Sequence, residues 1–101
     1  MNMDEQNYVK QGIIERLRKV IDPETGADVL RMRLIEDMVV EEDGKISYTF
    51  RPSSPLCPIA VYLVQQIKNA VAEVPGVSRQ HIAVKDYVAA DELTKLINKE
   101  N

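Results

Sequence analysis

The chain has a single cysteine, a single histidine and no tryptophan. One cysteine excludes an internal disulfide, so folding makes no demand for an oxidising compartment. One histidine excludes the two-histidine zinc patterns, and the missing second cysteine excludes a Cys-x-x-Cys redox pair. Positive charge is also in short supply: 13 Lys and Arg stand against 16 Asp and Glu, a net charge of −3. General nucleic-acid binding needs a basic surface and is not expected. Long hydrophobic runs are missing too. The longest, from Ile59 to Val64, falls far short of the roughly 20 residues that span a bilayer. The opening Met1-Asn2-Met3-Asp4-Glu5 has neither the basic region nor the apolar core of a secretory signal, so the expected location is cytoplasmic.

What remains is an ordinary globular composition, 45% hydrophobic and 29% charged over 101 residues, which fits one domain spanning 1–101 with a modest core. Helical spacing of Val9, Ile13, Leu17 and Val20, with Ile14 and Ile21 alongside, predicts a helix over residues 5–21 that Pro23 ends. Gly12 weakens that helix by about 1 kcal/mol relative to alanine. Residues 34–40 read as a strand that extends back toward Val29. Residues 45–51 alternate cleanly, Ile46, Tyr48 and Phe50 facing one way. Asp43-Gly44 between them is a favoured hairpin turn. A second amphipathic helix over 58–74 carries Ile59, Leu63, Ile67, Ala70, Val71 and Val74, and Pro75-Gly76 stops it. A third strand over 81–88 places Ile82, Val84 and Val88 on one face, and Asp91 is the expected N-cap of a short terminal helix with Leu93, Leu96 and Ile97. The order α-β-β-α-β-α predicts a two-layer α/β sandwich: a small mixed three-stranded sheet with helices packed on it.

Chemistry concentrates on Cys57, within Ser53-Ser54-Pro55-Leu56-Cys57-Pro58, although the plainer reading of a lone cysteine is a small buried hydrophobe. This stretch joins a strand to a helix, and a thiol at such a junction lies near unpaired helix N–H groups that favour the thiolate. Cys57 before Pro58 reads as an N-cap; the alternative register makes Ser54 the cap and puts Cys57 in the first turn. A second motif, Asp22-Pro23-Glu24-Thr25-Gly26, offers two carboxylates. Its plainer reading is a turn capped by Asp22 with Glu24 in solvent. Arg31, Arg33 and Arg51 form either a basic patch beside the thiol or solvated surface charge, and His81 reads as a surface residue.

Together the two motifs, with a hairpin between them, resemble the small metal–sulfur cluster assembly factors that include PaaD-like and SufT-like proteins. In that family the first motif reads Asp-Pro-Glu-Leu-Gly and the second Thr-Ser-Pro-Gly-Cys-Pro. The resemblance covers nearly the whole chain. It implies an iron–sulfur assembly or maturation factor, acting as scaffold, carrier or adaptor rather than turnover enzyme. It carries the metal-ligating cysteine to Cys57, the paired acids to Asp22 and Glu24, and the neighbouring hydroxyls to Ser53 and Ser54. Three departures stand out. The family's Asp-Leu-Gly-Leu is Arg31-Met32-Arg33-Leu34 here, Leu56 replaces the glycine before the cysteine, and the Trp- and Pro-rich tail is replaced by Tyr87-Val88-Ala89-Ala90 and a helix.

One thiolate cannot hold an iron–sulfur cluster, which normally takes four protein ligands. Any cluster or iron is therefore expected to be transient and shared with a second molecule: another copy, the assembly machinery or an apo-protein acceptor. Two rivals are an interaction module of the same fold without cluster chemistry, and a thiol-dependent enzyme with Cys57 as nucleophile.

Overall fold

The computed structural model describes residues 2–99. Its elements follow the expected order: α1 (Met3–Leu17), β1 (Ile35–Val40), β2 (Lys45–Phe50), α2 (Ala60–Ala72), β3 (Arg79–Val84) and α3 (Ala90–Asn98). The sheet order is β1-β2-β3, with β1 antiparallel and β3 parallel to the central β2. Ile46, Tyr48 and Phe50 of β2 and Ile82 and Val84 of β3 bury one sheet face. Val9, Ile13 and Leu17 of α1 join Leu63, Ile67 and Val71 of α2 in the same core.

The Asn2 side chain caps α1 by accepting from the Glu5 N–H at 2.8 Å. The helix ends at Leu17, not at Pro23. Residues 18–20 tighten into three-residue turns (Lys19 N–H to Arg16 C=O, Val20 N–H to Leu17 C=O). The chain then straightens, Ile21 forms a bridge with Asp28, and its side chain leaves the buried stripe. Gly12 has a packing reason, because a Cβ there would meet Val74 Cγ1 at 3.1 Å.

β1 does not extend back to Val29. Residues 28–32 form a short helical turn closed by a Schellman motif: Arg33 N–H bonds Leu30 C=O at 3.0 Å and Leu34 N–H bonds Val29 C=O at 3.1 Å. That closure places Arg33 in the left-handed region, φ 58°. It is the position at which the family pattern has glycine, and only glycine adopts that conformation freely. Farther on, the pairing shifts between Glu36 and Val39, a bulge made with Asp37 at φ 54°.

The β1–β2 hairpin turns at Asp43-Gly44 as expected, with Gly44 at φ 87°. It also seats against the loop that leads into β3. Ser78 N–H bonds Gly44 C=O at 2.9 Å, Ser78 Oγ donates to Asp43 C=O at 3.0 Å, and Arg79 pairs with Asp43 at 3.2 Å.

β3 stops at Val84, not Val88. Asp86, at φ 56°, turns the chain away, so Val88 leaves the face predicted for it. As the outer strand, β3 presents unpaired backbone groups, and α3 satisfies them. The Asn98 amide accepts from Ile82 N–H (2.9 Å) and donates to Ile82 C=O (2.7 Å), as a neighbouring strand would. Thr94 Oγ1 accepts from Val84 N–H at 3.0 Å. The N-cap of α3 is Ala89 rather than Asp91. Asp91 sits in the first turn, where its charge favours the helix dipole. Leu93 and Ile97 are buried and Leu96 is exposed.

Candidate functional site

Three excursions meet at one end of the sheet. β2 ends at Phe50, which stands opposite Ile35, the start of β1, and Val84, the end of β3. Arg51 N–H bonds Leu34 C=O at 2.8 Å, and Lys85 N–H bonds Phe50 C=O at 3.1 Å. The Asp22–Arg33 region, the cysteine loop and the β3–α3 connector therefore emerge together at the carboxyl ends of the parallel strands. That is where open α/β sheets place their ligand sites. Ile21 and Tyr62 line one open cleft between the end of α1 and α2. This sets the chain just before Asp22 beside the first turn of α2, one turn beyond Cys57.

The cysteine loop is built from two successive turns that share Cys57. Cys57 N–H bonds Ser54 C=O at 3.1 Å, and Ala60 N–H bonds Cys57 C=O at 3.4 Å. Pro55 and Pro58 each stand second in their turn, the place where a fixed φ near −65° is pre-formed. The proline spacing around Cys57 thus has a backbone reason. It also corrects both capping registers. α2 starts at Ala60, its N-cap is Ile59, and no side chain caps it. Ser54 Oγ instead accepts from Leu56 N–H at 3.2 Å within its own turn. Ser53 is exposed.

Cys57 itself is only 5% exposed and belongs to the core cluster. Its neighbour Leu56 points outward, 74% exposed, as does Val88 at 71%. The two share an open cleft with Arg51, Pro55, Asp86 and Tyr87. Val88 N–H bonds Pro55 C=O at 2.9 Å, fixing the β3–α3 connector to the cysteine loop.

Asp22 is 2% exposed. Its Oδ1 accepts from Glu24 N–H at 2.7 Å, its C=O from Gly26 N–H at 2.8 Å, and its N–H donates to Ala27 C=O at 2.9 Å. The carboxylate is occupied in shaping its own turn, and Glu24 lies in solvent, as the plainer sequence reading has it. Arg51 supplies no free positive charge to the thiol. It is held by Asp86 at 2.8 Å and Glu36 at 3.3 Å, and Lys85 approaches Glu36 at 3.6 Å. This four-residue network ties the ends of all three strands together. Sequence reading missed it because no spacing in the chain links residues 36, 51 and 86. His81 is exposed on β3.

Among the described residues no group of three or more His, Cys, Asp and Glu side chains could hold a metal ion. The donor set at this end is one thiol, the Asp22 carboxylate already bonded within its own turn and the solvent-facing Glu24, which fits a partial ligand sphere and not a complete one. No helix of the described residues is long and apolar enough to cross a membrane.

Comparison with known proteins supports the fold and gives the family. A solved structure of a domain of unknown function from Bacillus anthracis superimposes with a TM-score of 0.74 at 28% identity, covering 83% of this chain and 80% of that one. The Fe–S protein maturation auxiliary factor YitW of Bacillus subtilis is 33% identical over 79 residues, 78% of each chain. The iron–sulfur cluster carrier protein of Synechocystis is 29% identical over 72 residues, which make up 71% of this chain and 20% of the carrier. The profile of one family matches residues 10–84, from α1 to the last residue of β3. The chain belongs to that family, the iron–sulfur cluster assembly proteins.

Proposed function

We propose that this chain is an iron–sulfur maturation factor that takes its cargo through Cys57 Sγ, in a site completed by a second molecule. The observation that carries this reading is the placement of Cys57. It is the chain's only thiol, the shared corner of two proline turns at the carboxyl ends of β2 and β3. It lies one turn before a helix whose N-terminus no side chain caps, so the positive end of the α2 dipole faces the cysteine loop and favours thiolate charge. Asp22 and Glu24 serve by shaping and flanking the opposite loop, and Ser53 and Ser54 by setting the cysteine turn. The cargo is an iron–sulfur cluster or iron held transiently, because one thiolate leaves most of the ligand sphere to others. The partners are a second copy, the assembly machinery or apo-protein acceptors, met in the cytoplasm. The role is that of a carrier or adaptor rather than a turnover enzyme.

Anaerobic reconstitution with iron and sulfide, comparing the wild type with Cys57→Ala, tests this. Cluster absorption and transfer to an apo-acceptor are expected in the wild type and lost in the variant. Size-exclusion chromatography with iron analysis should place the cluster in dimers or mixed complexes. Cluster absorption that survives the substitution, or a full cluster on a monomer, overturns the assignment. A second reading, an interaction module without cluster chemistry, draws on the exposed Leu56 and Val88 beside the cysteine loop. It predicts that neither form binds iron while both bind the same protein partner.

A further inference from the structure

The residue assigned the central task belongs to the core cluster and is only 5% exposed, which poses a physical problem: so buried a side chain offers little surface to a metal or a partner. Something must move, and bonding strength across the molecule says what. β2 and β3 are paired along their whole length, and α1 and α2 supply the core. The cysteine loop is different. Ser53, Ser54, Pro55 and Leu56 are all exposed, and the two hydrogen bonds that set the turn are internal to residues 54–57. What ties this turn to the rest of the chain on its outer side is the Val88 N–H to Pro55 C=O bond at 2.9 Å. Val88 in turn belongs to a connector anchored at β2 by Lys85 N–H to Phe50 C=O and by Asp86 to Arg51 at 2.8 Å. No side chain of the loop caps α2, so a shift of residues 53–56 leaves the helix its backbone bond from Ala60 N–H to Cys57 C=O.

We infer that residues 85–89 act as a strap that latches the cysteine loop shut, and that release of the Val88–Pro55 bond opens a local path from solvent to Cys57 Sγ while the sheet and helices stay folded. Loops held by few bonds open at a free energy well below that of global unfolding. The strap lies just beyond the residues matched by the family profile, which end at Val84. A partner that seats on Leu56 and Val88, the two exposed apolar residues at the latch, would pull on both sides of it and couple docking to thiol exposure. The latch rests on Cys57 being the working thiol only for its purpose. Its existence is measured without iron.

The test is the rate at which an aromatic disulfide reagent labels Cys57 in the native chain, followed across low urea concentrations. Two variants are compared with the wild type: Val88→Pro, which deletes the donor N–H, and Asp86→Asn, which removes the ion pair with Arg51. Asparagine keeps the tolerance for a left-handed backbone that this position needs. Wild-type labelling should be much slower than that of a free thiol and nearly independent of urea well below the unfolding midpoint. Val88→Pro should label roughly tenfold faster, the effect of losing one ordinary hydrogen bond, and Asp86→Asn about two- to threefold faster, as for an exposed ion pair. The unfolding midpoint of Asp86→Asn should barely move, so that variant decides the matter if Val88→Pro fails to fold. Labelling as fast as a free thiol, labelling with the full urea dependence of global unfolding, or wild-type rates in folded variants would each overturn the latch. Loss of cluster binding in Cys57→Ala alongside unlatched kinetics would leave the functional assignment standing and remove only the strap.

Discussion

The two ends of the sheet are built on opposite principles. At the hairpin end, backbone meets backbone. Gly44 sits so close to the loop before β3 that a Cβ would lie 2.4 Å from Gly76 C=O, and Ser78 and Arg79 bind the turn from the far side. At the cysteine end, two backbone bonds finish the strand pairing (Arg51 N–H to Leu34 C=O, Lys85 N–H to Phe50 C=O), and the loops beyond are joined by side-chain ion pairs, short turns and the Val88–Pro55 hydrogen bond, with Arg33 and Asp86 held in left-handed backbone conformations. The contrast teaches where stability is kept and where it is given up. A clamped turn fixes the register of all three strands, which leaves the other end room for loops that rearrange.

The sharpest way to break the contrast is at the clamp. Gly44→Ala puts a methyl group against a peptide carbonyl in a backbone conformation that disfavours any side chain, and should cost about 3 kcal/mol, read as a lower urea midpoint with an unchanged slope. A loss below roughly 1 kcal/mol would mean that the hairpin end is not the rigid one.

Midway along β2, Tyr48 gives a smaller effect that depends on pH. Its hydroxyl donates to Gln80 Oε1 at 2.7 Å, and burial pushes its ionisation far above the ordinary phenol range. A folded-state value raised above the unfolded one contributes stability that is complete below the unfolded pKa of about 10 and is lost as pH rises beyond it. Wild-type stability should therefore fall by up to about 1.4 kcal/mol per pH unit from this group above pH 10. Tyr48→Phe, less stable at neutral pH through the lost hydrogen bond, should show a correspondingly flatter alkaline decline in denaturant titrations.

At the cysteine end the expected sign reverses. Arg33→Gly places glycine in the left-handed corner of the Schellman motif and should raise stability by about 1 kcal/mol, seen as a higher melting temperature with unchanged cluster loading. A decrease would show that the Arg33 side chain has contacts worth more than the backbone relief.

Much of this was legible in the chain, for identifiable reasons. Period-two alternation of Ile46, Tyr48 and Phe50, helical spacing of Val9, Ile13 and Leu17, and the Asp43-Gly44 turn are local signals, and each is buried or turned as expected. The boundaries that moved did so where long-range bonds overrode local propensity. Val29 is drawn into the closure of a helical turn by Leu34. Val88 leaves the sheet where Asp86 turns the chain at φ 56° and pairs with Arg51, just past the end of β2. The proline pair around Cys57 advertised a special position, but its meaning was two consecutive turns and not a helix cap. The burial of the thiol fits the plain reading of a lone cysteine as a small core residue, but its neighbours gave no sign of it. The flanking residues are exposed, and only the assembled core encloses the sulfur.

The amide of Asn98 has one more consequence. By engaging both backbone groups of Ile82, it occupies the place that a fourth strand would take, using a single side chain from a nine-residue helix. The family-matched residues stop at Val84, so the stretch that defines the family is not, in this protein, the stretch that finishes the fold. An outer strand left bare recruits strands from other molecules. The terminal helix is what closes the sheet at the β3 edge.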